Sequence, residues 1–225
     1  MFERFKQRSY DLERLDTGDY TEAEYCHWQK EMRFVHGLFG ETRALRNTLF
    51  RDLGSGEKHV SILDVGAGSG ELLRELGKWF GGRASLTGVE INETAARSIK
   101  SGNVAAVRAN ALTLPFETDS FDTAFCTLFL HHLGDNDAAR LLVEMARVSR
   151  GRIYAIDLNR SAKAYYLYRL LGHIFLQRLT LEDGALSILR SFTVDELYSL
   201  AEKARLRDVK VESSRVNRLI LSGVK

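Results

Sequence analysis

Between residues 58 and 157, short apolar runs alternate with amphipathic stretches, and no other feature of the chain restricts its fold as much. Val60–Val65, Ala84–Glu90 and Asn103–Ala109 read as short strands, with helices over Glu71–Phe80 and Glu93–Ser101 between them. Phe121–Phe129 is a nearly unbroken apolar run, the pattern of a central strand buried on both faces. Ala138, Leu141, Leu142, Met145 and Val148 line one face of the next helix, and "RIYAID" (152–157) is another strand. Alternation at this spacing predicts a parallel sheet with right-handed crossovers. After a capping box at Thr193 and Glu196, "DVKVES" and "VNRLILSG" read as an antiparallel strand pair. The expected class is α/β: a doubly wound, mostly parallel seven-stranded sheet with an antiparallel C-terminal strand.

Two segments flank this pattern. Residues 1–58 read as a helical N-terminal cap. Thr21 and Glu24 form a capping box there, and Tyr25, Trp28, Met32, Val35 and Phe39 recur at helical spacing. The rest, 59–225, reads as one domain with a helical insertion over 161–191, which opens on a long aromatic helix at 162–181. Tyr165, Tyr168, Leu171, Phe175 and Leu179 share a face of it, with Arg169, His173 and Arg178 around them. Two uses stay open for that face, a substrate pocket or a core or dimer helix, so a homodimer is not decided by sequence.

Charge excludes some partners. The net formal charge of +2 is spread along the chain, so bulk electrostatics offers no pull toward nucleic acid or anionic lipid. No uncharged apolar run approaches the ~20 residues of a membrane span, and stable membrane insertion is not expected. The charged start, "MFERFKQRSYDLERLD", has no apolar core of a secretory signal. Cys26 and Cys126 lie far apart and read as reduced thiols. A soluble, cytoplasmic protein is expected.

"ILDVGAGSG" (62–70) carries the chemistry. Gly66, Gly68 and Gly70 follow the first strand and lead into a helix, where absent side chains and free N–H groups admit a ligand. A dinucleotide fold would show G-x-G-x-x-G, whereas this run is G-x-G-x-G. Asp64 sharpens the difference: a carboxylate there would repel a pyrophosphate and suits an ammonium group. Glu90, ending the second strand in "GVEIN", can accept both hydroxyls of a ribose. Asn110 follows the third strand, where its amide can meet an adenine edge while Leu112 and Leu114 offer apolar surface. Taken singly, the glycines could be a turn, Glu90 a solvated strand end and Asn110 a loop residue.

"ILDVGAGSG", "GVEIN", "ANALTLPFETDSFD" and "LFLHHL", in this order and spacing, resemble the class I (Rossmann-like) methyltransferases that use S-adenosyl-L-methionine (SAM). Within that class the likeness is to the ubiquinone/menaquinone-biosynthesis type and related bacterial small-molecule methyltransferases. It covers residues 58–160. The resemblance implies SAM as cofactor, with Asp64, Gly66, Ala67 and Gly68 at its methionine end and Glu90 and Ile91 at the ribose. Asn110 and Ala111 would flank the adenine, and Thr127 and Leu128 would face the sulfonium. The family often has Asp where this chain has Asn110, which keeps the acceptor oxygen and loses the charge.

Methyl transfer is an in-line displacement that needs a base only when the acceptor carries a proton. His131 and His132, just past the fourth strand, are the candidate bases, a residue type that titrates near neutrality. The alternative is that they are structural or border the cofactor. His36 and Tyr165 are weaker candidates, and Asp157, after the fifth strand, reads as a substrate ligand or a loop cap. No metal site is expected. The run Thr127-Leu128-Phe129-Leu130 lacks the Asn/Asp-Pro-Pro-aromatic loop of nucleic-acid amino methyltransferases. A small-molecule acceptor such as a phenol, quinol or polyketide-like ring is therefore expected, with a non-catalytic SAM-binding scaffold as the alternative. The two aromatic flanking segments are expected to meet over the carboxyl ends of the strands as a lid.

Overall fold

The computed structural model describes residues 3–39, 41–53, 57–99, 104–214 and 216–225; for residues 29 and 32–39 only the backbone is described. Seven strands form one sheet in the order β3-β2-β1-β4-β5-β7-β6. They are β1 (Val60–Val65), β2 (Ala84–Glu90), β3 (Val104–Arg108), β4 (Thr123–Thr127), β5 (Ile153–Leu158), β6 (Arg207–Ser213) and β7 (Arg218–Val224). β1 to β5 pair in parallel, and β7 runs antiparallel between β5 and β6. The order reverses beside β1, whose two neighbours are β2 and β4. That switch point opens a crevice beyond the strands' carboxyl ends.

Ten helices accompany the sheet among the described residues: α1 (Arg14–Thr17), α2 (Glu22–Phe39), α3 (Glu41–Leu45), α4 (Arg51–Leu53), α5 (Glu71–Phe80), α6 (Glu93–Ile99), α7 (Asp135–Val148), α8 (Ala162–Phe175), α9 (Arg178–Arg190) and α10 (Val194–Lys203). Alternate strand residues feed two cores. Ile62, Leu86, Phe125, Ile156 and Ile220 pack with Leu45, Leu49, Leu73, Leu76 and Ile99 on one face. Leu63, Val89, Ala124, Ala155 and Leu219 pack with Leu141, Leu142, Met145, Leu197 and Leu200 on the other. A strand buried on both sides carries no charge, and β4 (TAFCT) has none, with Thr123 giving its hydroxyl hydrogen to the Arg152 carbonyl.

Three expectations change. Residues 1–58 are not one helical unit. Residues 41–53 lie against the sheet face, where Leu45 and Leu49 are buried, and Glu41 pairs with Arg218 of β7 through two buried hydrogen bonds. Residues 8–13 belong to no helix, and α1 begins only at Arg14. The long helix at 162–181 is two helices, because Leu176 and Gln177 take extended conformations. The Gln177 N–H donates to Glu31 of α2 at 2.8 Å, a tertiary bond that replaces the helical one. The face drawn through that helix splits accordingly: Tyr165 and Leu179 are buried while Leu171 and Phe175 face outward.

Both predicted capping boxes form. Thr193 Oγ1 accepts the Glu196 N–H, and the Glu196 carboxylate accepts the Thr193 N–H. Thr21 and Glu24 do the same at the start of α2. α2 packs on α9, and α9 packs on the turn that follows β4. The two flanking segments therefore meet at the carboxyl end of β4. The side chains of Met32 and His36 lie outside the described residues.

Candidate active site

The turn after β1 is held by its own backbone. The N–H groups of Gly66 and Ala67 both donate to the Val89 carbonyl, at 2.9 and 3.0 Å, which ties the turn to β2. Gly66, Gly68 and Gly70 sit at φ +77°, +53° and +76°, a region that favours glycine. Their surroundings differ. A Cβ on Gly66 would strike the Phe129 ring at 2.9 Å, and one on Gly70 would meet Ile99 at 3.2 Å. A Cβ on Gly68 would have nothing within 4 Å. Gly68 therefore faces open space at the mouth of the crevice.

Two carboxylates flank that space. Asp64, in register with Gly88 and Phe125, is buried, and its Oδ1 has no hydrogen-bond partner. Burial pushes its carboxyl well above the ordinary range, and the Glu90 charge adds to the rise. A cation arriving at Oδ1 would remove both penalties. Glu90 is braced instead. Its Oε1 accepts the Ile91 and Asn92 N–H groups at 2.8 and 3.0 Å, and its Oε2 accepts the Gly68 N–H at 3.1 Å. These bonds fix the carboxylate and leave lone pairs for further donors. Ile91 stands beside it, 63% exposed, an apolar surface with no protein covering it.

Asn110 is exposed, and its Oδ1 accepts the Leu112 N–H at 2.9 Å in a local turn. The amide nitrogen is the end left to meet a ligand. Ala111 next to it is buried. Thr127 ends β4 half-buried, and Leu128 follows at φ +50°, its N–H donating to the Ile156 carbonyl at 2.8 Å. That left-handed turn drops Phe129 onto Gly66. Sequence reasoning passed over Phe129, since nothing in "LFLHHL" marks one apolar residue above the others.

The turn Leu130–His132 follows. His131 is 4% exposed, and its Nδ1 lies 2.6 Å from Asp157 Oδ1 at the end of β5. Asp157 also accepts the backbone N–H groups of His131 (3.0 Å) and Leu158 (2.7 Å). Burial raises the Asp157 carboxyl, and the His131 charge and these donors more than reverse it, so the net shift is downward. The second ring nitrogen, Nε2, points toward Glu13 Oε1 at 4.0 Å. His132 is half-buried, with Nδ1 3.4 Å from Asp16. The structure thus brings both histidines and Asp157 together, while Tyr165 lies apart on α8, bonded to Arg4.

Residues 8–16 close over this turn as a latch. Arg8 donates to the His131 and Leu133 carbonyls at 3.2 and 3.0 Å and to Asp135 at 2.6 Å, and it stacks 3.5 Å over the Phe192 ring. From the other side Arg190 of α9 donates to the carbonyls of His131 and His132 and to Asp16. Glu13, His131 and His132 place ligand atoms within 4.8 Å of one another, a spacing that could admit a metal ion. Arg190 Nη1 lies 3.8 Å from Glu13 and 2.6 Å from Asp16, so a guanidinium already stands where a cation would balance them. None of these latch residues carried a sequence signal, because each takes its meaning from a partner more than a hundred positions away.

Comparison with known proteins places this geometry. Residues 62–163 match a family model described as a methyltransferase domain. The ubiquinone/menaquinone biosynthesis C-methyltransferase UbiE of Hahella chejuensis is 28% identical over 140 residues, 56% of this chain and 55% of that protein. The chain spans about half the length of the curated relatives it matches. Among solved structures, the plantazolicin methyltransferase BpumL, in complex with a desmethylplantazolicin analogue and S-adenosylhomocysteine (SAH), superposes with a TM-score of 0.70 at 15% identity. The match covers 94% of this chain and 93% of that one. A SAM-dependent methyltransferase from Aquifex aeolicus superposes with a TM-score of 0.59 at 17% identity, covering 85% and 96%. Both likenesses are of fold.

Proposed function

We propose that this chain, whose residues 62–163 match a methyltransferase domain, is a class I SAM-dependent methyltransferase that transfers a methyl group to the oxygen or carbon of a lipophilic small molecule such as a phenol, quinol or polyketide-like ring. The observation that carries the reading is the orphaned, buried Asp64 Oδ1, within reach of the Glu90 charge, with Glu90 in turn bonded to Gly68, whose Cβ side is open. A buried acceptor without a partner costs stability in the free protein, and an ammonium group with an aliphatic tail is the ligand that repays it.

SAM fits these residues and supplies an electrophilic methyl on a positively charged sulfur. Asp64 would hold the ammonium, the Gly66-Ala67-Gly68 backbone would hold the methionyl part, and Glu90 would accept the ribose hydroxyls, with Ile91 as apolar surface beside it. Asn110 and Ala111 would border the base. Thr127 and Leu128 would stand at the reacting end, with Phe129 next to them. His131 then takes the acceptor's proton. Its Nδ1–H donates to Asp157, which leaves Nε2 as the basic nitrogen of the neutral ring, facing Glu13, and moving Glu13 aside would uncover it. The latch and α9 exclude water when closed and must open to load the acceptor.

Asp64 makes the cofactor step pH-dependent. Its folded pKa lies above the unfolded one, so the free protein loses stability as pH climbs from the ordinary carboxylate range through the elevated value. An ammonium ligand reverses that loss, and cofactor affinity rises over the same window. Asp64→Asn should flatten both dependences and weaken SAM by about 1.5–3 kcal/mol, the range for a hydrogen bond to a charged group. Thermal unfolding with and without SAM, across pH, reads both effects.

The reading is tested by incubating the protein with SAM and a panel of phenols, quinols and polyketide-like aromatics and measuring product mass. A methylated product from at least one compound, lost with His131→Gln while SAM still binds, is the expected result. SAM binding with no transfer to any of them would leave a cofactor-binding protein and overturn the acceptor class.

A further inference from the structure

α8 carries a face that the fold leaves bare. Tyr165 and Gly172 turn inward, and Gly172 lets α9 approach so closely that a Cβ would meet Leu181 at 2.6 Å. On the other side Tyr166, Leu167, Leu170, Leu171, Ile174 and Phe175 are all exposed, Leu170 by 67%, Ile174 by 69% and Phe175 by 73%. Their spacing repeats with the helical turn, so they form one continuous stripe.

Along the chain from 158 to 181 the charges have one sign. No acidic residue occurs between Asp157 and Glu182, while Lys163, Arg169, His173 and Arg178 all lie there. Arg4 adds a guanidinium beside Tyr165, whose hydroxyl it bonds at 2.9 Å. At the end of the stripe, Arg169, His173 and Arg178 line an open cleft with Leu176 and Leu181. Glu182 also lines it, paired to Arg178. Two occupants could cover such a face. A second copy brought up by two-fold symmetry would present the same cationic border, with no acidic residue between Asp157 and Glu182 to pair with it. An anionic lipid surface satisfies the apolar stripe and its cationic border together.

We propose that α8 docks the protein on the surface of an anionic membrane, its apolar stripe in the headgroup boundary and Lys163, Arg169 and His173 on lipid phosphates. At 14 residues the helix is about 21 Å long, too short to cross the ~30 Å hydrocarbon core, so it lies in the plane of the interface. No helix among the described residues is long and apolar enough to span. The opposite, buried side of α8 packs on α9, whose Arg190 holds the His131–His132 turn.

Vesicle flotation tests this without cofactor or acceptor, so its failure is separable from failure of the methyl-transfer reading. Full-length protein should float with phosphatidylcholine–phosphatidylglycerol vesicles, weakly with phosphatidylcholine alone, and less at high salt. Leu170→Glu with Ile174→Glu should lower partitioning by at least about tenfold, with circular dichroism and SAM binding unchanged. Equal flotation of wild type and double variant would overturn the proposal. So would absence of wild-type flotation joined to a dimer, seen by light scattering, that the double variant dissolves; that result would assign the face to a second copy.

Discussion

Gly68→Val is expected to abolish SAM binding while the fold survives. At φ +53° a β-branched residue is strained, by roughly 1–2 kcal/mol, which a domain of this size tolerates. The protein leaves room at the branch point, because nothing lies within 4 Å of the added Cβ. The new side chain would fill the space in front of the turn, where the methionyl chain is placed. Calorimetry should show affinity reduced by more than about a hundredfold, or roughly 3 kcal/mol, against a native circular dichroism spectrum. Gly66→Val would be uninformative, since its Cβ collides with Phe129 and the fold itself is at risk. Wild-type affinity in Gly68→Val would move the cofactor elsewhere in the crevice.

Asp157→Asn should lower turnover by ~10²–10⁴, the range for losing an oriented general base. The carboxylate accepts the His131 Nδ1–H, and an amide placed there can present its N–H instead and reverse the tautomer. Stability changes too, with a sign that separates the roles. The Asp157 carboxyl is held below its ordinary range, so its contribution is present above the unfolded pKa and lost as pH falls through the folded one. The variant should therefore be less stable at neutral pH and less sensitive to acid. If Asp157 serves catalysis, the fully folded variant at low temperature still turns over slowly, with SAM affinity intact and an altered pH–rate profile. Activity lost only in proportion to the unfolded fraction would make the pair structural.

Sequence and structure agree where burial is periodic. β1, α5 and β2 begin and end at the residues read from the pattern, because strands covered on both faces and helices covered on one leave unmistakable spacings. The crevice was legible for a similar reason: Asp64, Gly68 and Glu90 occupy fixed offsets from strand ends. The break between α8 and α9 was not, since Leu176 and Gln177 are neither glycine nor proline and a bond to Glu31 imposes the turn. The latch was silent as well. Arg8, Glu13 and Arg190 are ordinary surface residue types, and only the fold buries them together. The face read at Tyr165, Tyr168, Leu171, Phe175 and Leu179, as a substrate pocket or a core or dimer helix, shares only Leu171 and Phe175 with the exposed stripe, because periodicity marks an apolar face without saying what covers it.

The central claim is that the β1–β2 crevice holds SAM through Asp64. Calorimetric titration of SAM into the purified protein at several pH values tests it most directly. Saturable one-site binding is expected, tightening as pH rises, with a proton released as the ammonium takes its place at Asp64, and with no competition from NADH. A folded protein that gives no binding heat with SAM at any pH, or one from which NADH displaces SAM, would contradict it.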